Sequence, residues 1–418
     1  MKIQTVKGAS DYLPGEAELR DHLQSTILGV YQNHGFWRIM TPIIEDIENL
    51  DKSEGGDNLN LIFRIMKRGD KLEKALAEAA YDDLADMGLR YDLTLPLSRY
   101  FANNRANLPY PFKCIQTDKA YRAERPQKGR GREFVQCDID ILGSESPDCE
   151  IEIIDVTAKA LEASGISGFK ARISDRRVLR ETLLSLGFEE KSLESVSVAF
   201  DKLDKIGPEG VEKELRDKGL GGAAADNLSA IIRGLPMGLD EIKTTLPPAA
   251  RGSFANLEKI IGEVRKLSKG RYTAEFDISL VRGQGYYTGT VFEIESNAWK
   301  GSIAGGGRYD DLIGKFLNEK IPAVGFSIGF EKIFSILSEE GFAIPSSKKK
   351  IAALYGNGGF SQAYEAAEGL RKNYNVTLYE KPKKTKNFLD QLMNTGYDGF
   401  VMMAQPDDIH FFDAGAKE

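Results

Sequence analysis

From Glu16 to Gln32 the apolar residues Leu19, Leu23, Ile27, Val30 and Tyr31 recur at helical spacing behind Pro14 and Gly15, which predicts one long helix. Phe36 to Ile44 then takes on strand texture and ends near Pro42. Further along, Glu150 to Ser164 has helical spacing and Phe169 to Ser174 reads as a strand. Between Arg176 and Lys269 amphipathic segments such as VLRETLLSLGF and NLEKIIGEVRKL are broken by Gly219 to Gly222 and by Pro247 and Pro248, so a purely helical region is expected there. Strand character returns at Tyr272 to Leu280. A helix follows Lys332 to about Glu340, and PSSKKK at Pro345 to Lys350 reads as a linker. Beyond it come an apolar strand (Ile351 to Tyr355), a helix (Gln362 to Lys372), a strand (Val376 to Tyr379), a helix near Asn387 to Met393 and the apolar run Gly399 to Met403. That alternation predicts a small parallel-type α/β unit.

Composition narrows the class. The chain has 418 residues, 41% hydrophobic and 28% charged, as in soluble globular proteins of two or three domains. Its apolar runs fall short of the roughly 20 residues that cross a membrane. The first residues, MKIQTVKGASDYLP, have no apolar core like a signal peptide's, so a cytoplasmic protein without membrane contact is expected. Three cysteines, Cys114, Cys137 and Cys149, form no CxxC pair, which argues for reduced thiols and against a zinc site. His22, His34 and His410 are the only histidines and stand apart from the motifs, so a histidine-based nucleophilic triad is not expected.

Charge changes the picture in one place. Arg122, Arg125, Lys128, Arg130 and Arg132 crowd a single segment of a chain whose formal net charge is -7, which implies an anionic ligand. Tyr121 to Arg125 and Glu133 to Leu142 read as two strands, with Pro126, Gln127, Lys128, Gly129 and Gly131 as turn-formers between them. Arginines on such a hairpin can grip a polyphosphate through bidentate hydrogen bonds. Phe134 can offer a ring to a base or a guanidinium. Taken alone, the segment reads first as a solvated basic hairpin.

Residues 121 to 136 resemble motif 2 of the class II aminoacyl-tRNA synthetases, and ERPQKGRGREFVQ is similar to the form found in histidyl-tRNA synthetases. KGASDYLP (Lys7 to Pro14), LRYDLTLPLSRY (Leu89 to Tyr100), LVRGQGYYTGTVFE (Leu280 to Glu293), GGGRYDDLIG (Gly305 to Gly314) and VGFSIGFEKI (Val324 to Ile333) follow the family's order. The resemblance implies an α+β fold: an antiparallel class II sheet flanked by helices over residues 1–340, with a helical insertion at about 176–269. A linker at 341–350 and a small α/β unit of the anticodon-binding type at 351–418, shorter than is usual, would follow. It also implies a homodimer built on the first helix and strand.

The same resemblance assigns chemistry. The reaction joins a histidine carboxylate to the α-phosphate of ATP and passes the product to tRNA(His), so the protein must align and neutralise anions rather than supply a nucleophile. Arg122 and Arg282 would act at the α-phosphate, with Mg²⁺ as the companion of ATP and no protein metal site. Arg130 would reach the terminal phosphates, Phe134 would stack on adenine, and Glu124 and Lys332 would complete the ATP site. Gly306, within Gly305 to Gly307, would let the backbone approach adenine or ribose. Asp140 and Tyr287 match positions that contact an imidazole ring, with Tyr286 beside them. Asp92, Thr94 and Gln136 match positions that bind the α-amino group. Gln127 and Lys128 would touch the acceptor end of tRNA. Each has a plain reading too: a cap for Asp92, a strand residue for Thr94, core aromatics for the tyrosines, a tight turn for the glycines.

Two departures from the family pattern stand out. The chain has GFEKI with Lys332 where GLERL is usual, which keeps the charge but loses the planar fork. It also has GQGYY with Gly285 where GLDYY is usual. These admit a rival, a non-catalytic paralogue that binds histidine as the regulatory subunit of ATP phosphoribosyltransferase. A general nucleic-acid-binding module needs broader positive charge than this acidic chain offers.

Overall fold

In a computed structural model of the protein, residues 3–52, 60–80, 83–245, 251–281, 286–345 and 347–412 are described. The chain divides into two compact units, Met1–Tyr12 with Arg20–Gly341, and Leu13–Leu19 with Phe342–Glu418.

Strands numbered in chain order form three sheets. The largest runs β1 (Trp37–Arg38), β5 (Phe112–Tyr121), β6 (Glu133–Leu142), β11 (Ala323–Gly329), β10 (Ser302–Arg308), β9 (Thr290–Ser296), β7 (Phe169–Asp175), β8 (Thr273–Phe276). It is antiparallel from β5 through β7 and gains a parallel partner at each edge. A three-stranded sheet has the order β2 (Ile44–Asp46), β4 (Ala85–Leu89), β3 (Arg64–Met66). In the second unit the order is β13 (Asn375–Glu380), β12 (Lys350–Tyr355), β14 (Gly399–Met402), β15 (Ile409–Phe411), with β12 parallel to both neighbours.

Side-chain alternation on β6 decides where the large sheet has its core and where its open face. Val135, Cys137, Ile139 and Ile141 are buried on one side, and the helix Asp148–Ala163 packs against β6 and β11. Gln136, Asp138 and Asp140 point to the other side, since successive residues of a strand alternate. The guanidinium of Arg308, at the end of β10, makes a buried bidentate pair with Glu150 of that helix, at 2.7 Å and 2.6 Å. Among the described residues between β7 and β8 the regular elements are helices, from Arg176–Ser185 to Arg251–Ser268. Asp175 opens this region by accepting a hydrogen bond from the Arg177 amide at 2.8 Å, as an N-cap does.

Several sequence-based boundaries move. The strand expected at Tyr121 to Arg125 lies upstream, at Phe112–Tyr121, because the ladder to β6 runs over ten pairs and stops where Glu124 and Pro126 leave it. Phe36 to Ile44 gives only Trp37–Arg38 before Pro42. The strand expected to Leu280 ends at Phe276, where Asp277 turns the chain by accepting from the Ser279 amide and hydroxyl. β15 has no counterpart in the sequence reading; its residues, Ile-His-Phe, carry one half-buried apolar side chain and no alternation to read. All three cysteines are free and buried.

Candidate active site

A cleft of about 620 Å³ opens on the polar face of the large sheet. Strand register explains its lining. Asp138 of β6 faces Ser327 of β11 and Asp140 faces Gly325. Ser327 faces Gly305 of β10, Gly305 faces Glu293 of β9, and Glu293 faces Arg172 of β7. All of these residues line the cleft, together with Asp92, Thr94, Arg122, Glu124, Arg130, Phe134, Gln136, Tyr286, Tyr287 and Lys332. Gly306 does not. It pairs with Phe326 and Phe292 on the core face, where a Cβ would stand 2.0 Å from the Gly325 carbonyl oxygen. Packing therefore accounts for that glycine, and Gly305 is the one on the cleft wall. Arg282 lies outside the described residues.

The cationic half of the cleft is built on the loop between β5 and β6. Arg122 donates from Nε to the Tyr91 carbonyl at 2.9 Å, and its guanidinium lies 5.0 Å from the centre of the Phe134 ring, a cation–π contact. Arg130 is clasped by Glu124, Nε to Oε1 at 2.7 Å and Nη2 to Oε2 at 2.5 Å. Lys332 donates from Nζ to the Ser302 carbonyl at 2.5 Å. Gln127 and Lys128 lie outside the cleft on an exposed turn closed by paired Gln127 and Arg130 backbones. At Gly129, φ is +68° and the Trp299 ring comes within 2.6 Å of where a Cβ would be. Only glycine meets both demands there.

The opposite half is anionic and buried. Asp92 Oδ1 accepts from the Leu95 amide at 3.1 Å, at the start of the helix Thr94–Asn104, while its Oδ2 is buried with no hydrogen-bond partner. Asp140 Oδ1 accepts from the Tyr309 hydroxyl at 2.5 Å. Burial, opposed by this hydrogen bond and aided by the charge of Asp92, pushes the Asp140 carboxyl up to about 7. Burial also raises Asp92, and burial with the neighbouring Asp140 raises Asp138 well above the usual carboxylate range. Tyr286 and Tyr287 meet edge to face at 4.9 Å, and Tyr286 meets Tyr309 in the same manner at 5.9 Å.

Sequence reasoning missed Asp138, Ser327, Tyr309 and Glu331, all in the lining. Period two from Gln136 and Asp140 was signal enough to find Asp138. Glu331 is a clamp: its carboxylate takes both Nη atoms of Arg20, at 2.7 Å and 2.8 Å, and the Val135 amide at 3.0 Å. The ring of Tyr12 lies 4.0 Å from that guanidinium.

The histidyl-tRNA synthetase family model matches residues 8–333. The chain belongs to the histidyl-tRNA synthetase family. A histidine–tRNA ligase from Leifsonia xyli is 39% identical over 425 residues, covering 96% of this chain and 95% of that protein. Among solved structures, a histidyl-tRNA synthetase from Nostoc superposes with a TM-score of 0.79 at 29% identity, over 96% of this chain and 91% of that one. A Bacillus halodurans protein described as an ATP phosphoribosyltransferase regulatory subunit/histidyl-tRNA synthetase gives a TM-score of 0.78 at 21% identity, over 96% of this chain and 98% of that one. That likeness is one of fold alone. The choice of function within the histidyl-tRNA synthetase family therefore falls to the side chains of the cleft.

Proposed function

We infer that the protein is a histidine–tRNA ligase, which activates histidine with ATP and transfers it to tRNA(His). The observation that carries this reading is the joining of two unlike half-sites in one cleft. Arg122, Arg130 and Lys332 stand on one side, and Asp92, Gln136, Asp140, Tyr286 and Tyr287 on the other. The anionic half suits an ammonium group and an imidazole, whose ring nitrogens need polar partners when buried. The cationic half suits a triphosphate.

In this reading Asp92 and Gln136 receive the α-ammonium group, and Asp140 with Tyr287 receives the ring. Histidine's carboxylate oxygen then attacks the α-phosphorus, the bond to the bridging oxygen breaks, and pyrophosphate leaves. Arg122, which Tyr91 holds against Phe134, stabilises the charge that develops. Arg282 shares that task. The Arg130–Glu124 pair is half exposed on the arginine side, and such pairs are worth about 0 to 1 kcal/mol. A triphosphate can therefore take Arg130 from Glu124. Mg²⁺ would enter with ATP, since it commonly rides on substrate phosphates with one or two carboxylates.

We assign residues 1–340 to catalysis, 341–350 to the linker and 351–418 to anticodon binding. Gln127 and Lys128, on their exposed turn, face the acceptor end of tRNA. Exposed Trp37, Met40, Ile43, Ile44 and Met87, along β1 and the three-stranded sheet, support a homodimer through that surface. No helix among the described residues is long and apolar enough to cross a membrane, and we place the activity in the cytoplasm. The test is exchange of labelled pyrophosphate into ATP by the purified protein. Exchange that requires histidine is expected; histidine binding without exchange would move the reading to a non-catalytic, histidine-sensing paralogue.

A further inference from the structure

Gln136 has an amide that can face the cleft in either of two ways, as a donor or as an acceptor. A primary ammonium group can use only the acceptor. Two neighbours decide the matter. Gln136 Nε2 lies 3.3 Å and 3.5 Å from the two carboxylate oxygens of Asp138, and 3.3 Å from Ser327 Oγ. Oxygens of Asp138 and Ser327 thus form a partial ring about the Gln136 NH₂ group on the cleft face of β6 and β11. Both oxygens of the Asp138 carboxyl lie nearest the amide's NH₂ end, and even a protonated carboxyl keeps a carbonyl oxygen that accepts from it. The amide oxygen is thereby turned away from the ring, and Gln136 Oε1 is buried with no hydrogen-bond partner. Asp92 Oδ2, in the lining of the same cleft, shares that condition. Leaving such buried acceptors unmet is costly, a cost that an entering ammonium group removes.

We propose that Asp138 and Ser327 are positioning residues which lock the Gln136 amide with its oxygen toward the cleft, so that the site selects an amino acid's ammonium group. This rests on the histidine reading of the cleft and deepens it. The role of Asp138 is exerted through Gln136 rather than on the reacting atoms.

The experiment measures binding of histidine and of its des-amino analogue, imidazolepropionate, to the full-length wild-type protein and to Asp138→Ala, Asp138→Asn and Ser327→Ala. Asp138→Ala is expected to bind histidine about 10-fold more weakly, equivalent to about 1.4 kcal/mol, and the analogue less than about 2-fold more weakly. Asp138→Asn keeps an oxygen that can accept from Gln136 and is expected to stay within about 3-fold of wild type for both ligands. Ser327→Ala, the milder change, is expected to lose about 3-fold for histidine alone. An equal loss for histidine and the analogue would overturn the lock in favour of a structural role. Asp138→Asn behaving like Asp138→Ala would overturn it in favour of a bare charge effect. Wild-type protein that binds neither compound would instead remove the histidine reading itself, an outcome distinct from both.

Discussion

Asp140 sits where a stable fold and a working site ask for different things. Its carboxyl is pushed up to about 7 by burial, whereas in an unfolded chain it ionises near about 4. The folded state therefore binds the proton more tightly, and the stability linked to it is complete below pH of about 4 and lost as the pH rises through about 7. The Asp140→Asn variant has no proton to lose at this position. Urea unfolding without ligand is expected to show this variant more stable than wild type by about 1 to 3 kcal/mol at pH 8, with the gap closing toward pH 5. Histidine-dependent exchange is expected to fall at least about 100-fold, because a site built for hydrogen bonds discriminates through them. A gap that is the same at pH 5 and pH 8 would remove the assignment of the titration to this residue. At this scale the sequence was legible as far as its motif blocks reached, with Asp92, Gln136, Asp140 and both tyrosines meeting in one cleft. Gly306 misled because three consecutive glycines carry no sign of which one faces outward. Only pairing with Phe292 and Phe326 shows it.

Among the elements, the clamp on Glu331 ties the helix Phe330–Glu339 to β6 and to the helix Pro14–Asn33. Arg20 and Glu331 are 9% and 14% exposed, which makes this a mostly buried charge pair. Removing one partner of such a pair typically costs about 3 to 5 kcal/mol, because the other is left charged and desolvated. Arg20→Met and Glu331→Gln are each expected to lower unfolding stability by about 2 to 4 kcal/mol, and the double variant by less than their sum. Additive losses in denaturant melts would show that the two do not act as a pair. No periodicity announces such a contact, since its partners lie 311 positions apart. The long helices were legible because Leu19, Leu23 and Ile27 repeat their spacing over several turns. β1 and β15 were not, because strands of two and three residues offer no repeat.

For the whole molecule, the surface to probe is the one bearing Met40, which is 73% exposed beside Trp37 at 58%. Large exposed apolar patches mark association sites, and Trp37, Met40, Ile43 and Ile44 all stand exposed within one short stretch of chain. Met40→Asp is expected to shift the sedimentation coefficient from that of a dimer to that of a monomer and to lower exchange activity at least about 10-fold at nanomolar concentration. A wild-type protein that sediments as a monomer would withdraw the homodimer. Architecture at this scale was partly visible in the sequence, since a helical stretch between strands and an alternating tail mark themselves by texture. Sheet order was not: β6 pairs with β11 across more than 180 positions, and no local pattern encodes that neighbour.

The clasp of Glu124 on Arg130 has one more effect. A guanidinium left bare at the mouth of a cleft would collect any phosphate the cell supplies, and inorganic phosphate is plentiful. With a carboxylate already seated on it, a visitor must outcompete a tethered counter-ion, which a single small anion does poorly and a chain of three phosphoryl groups does well. At about 0 to 1 kcal/mol the clasp tilts that competition by no more than about fivefold, trimming the hold of single phosphates on Arg130 rather than barring them.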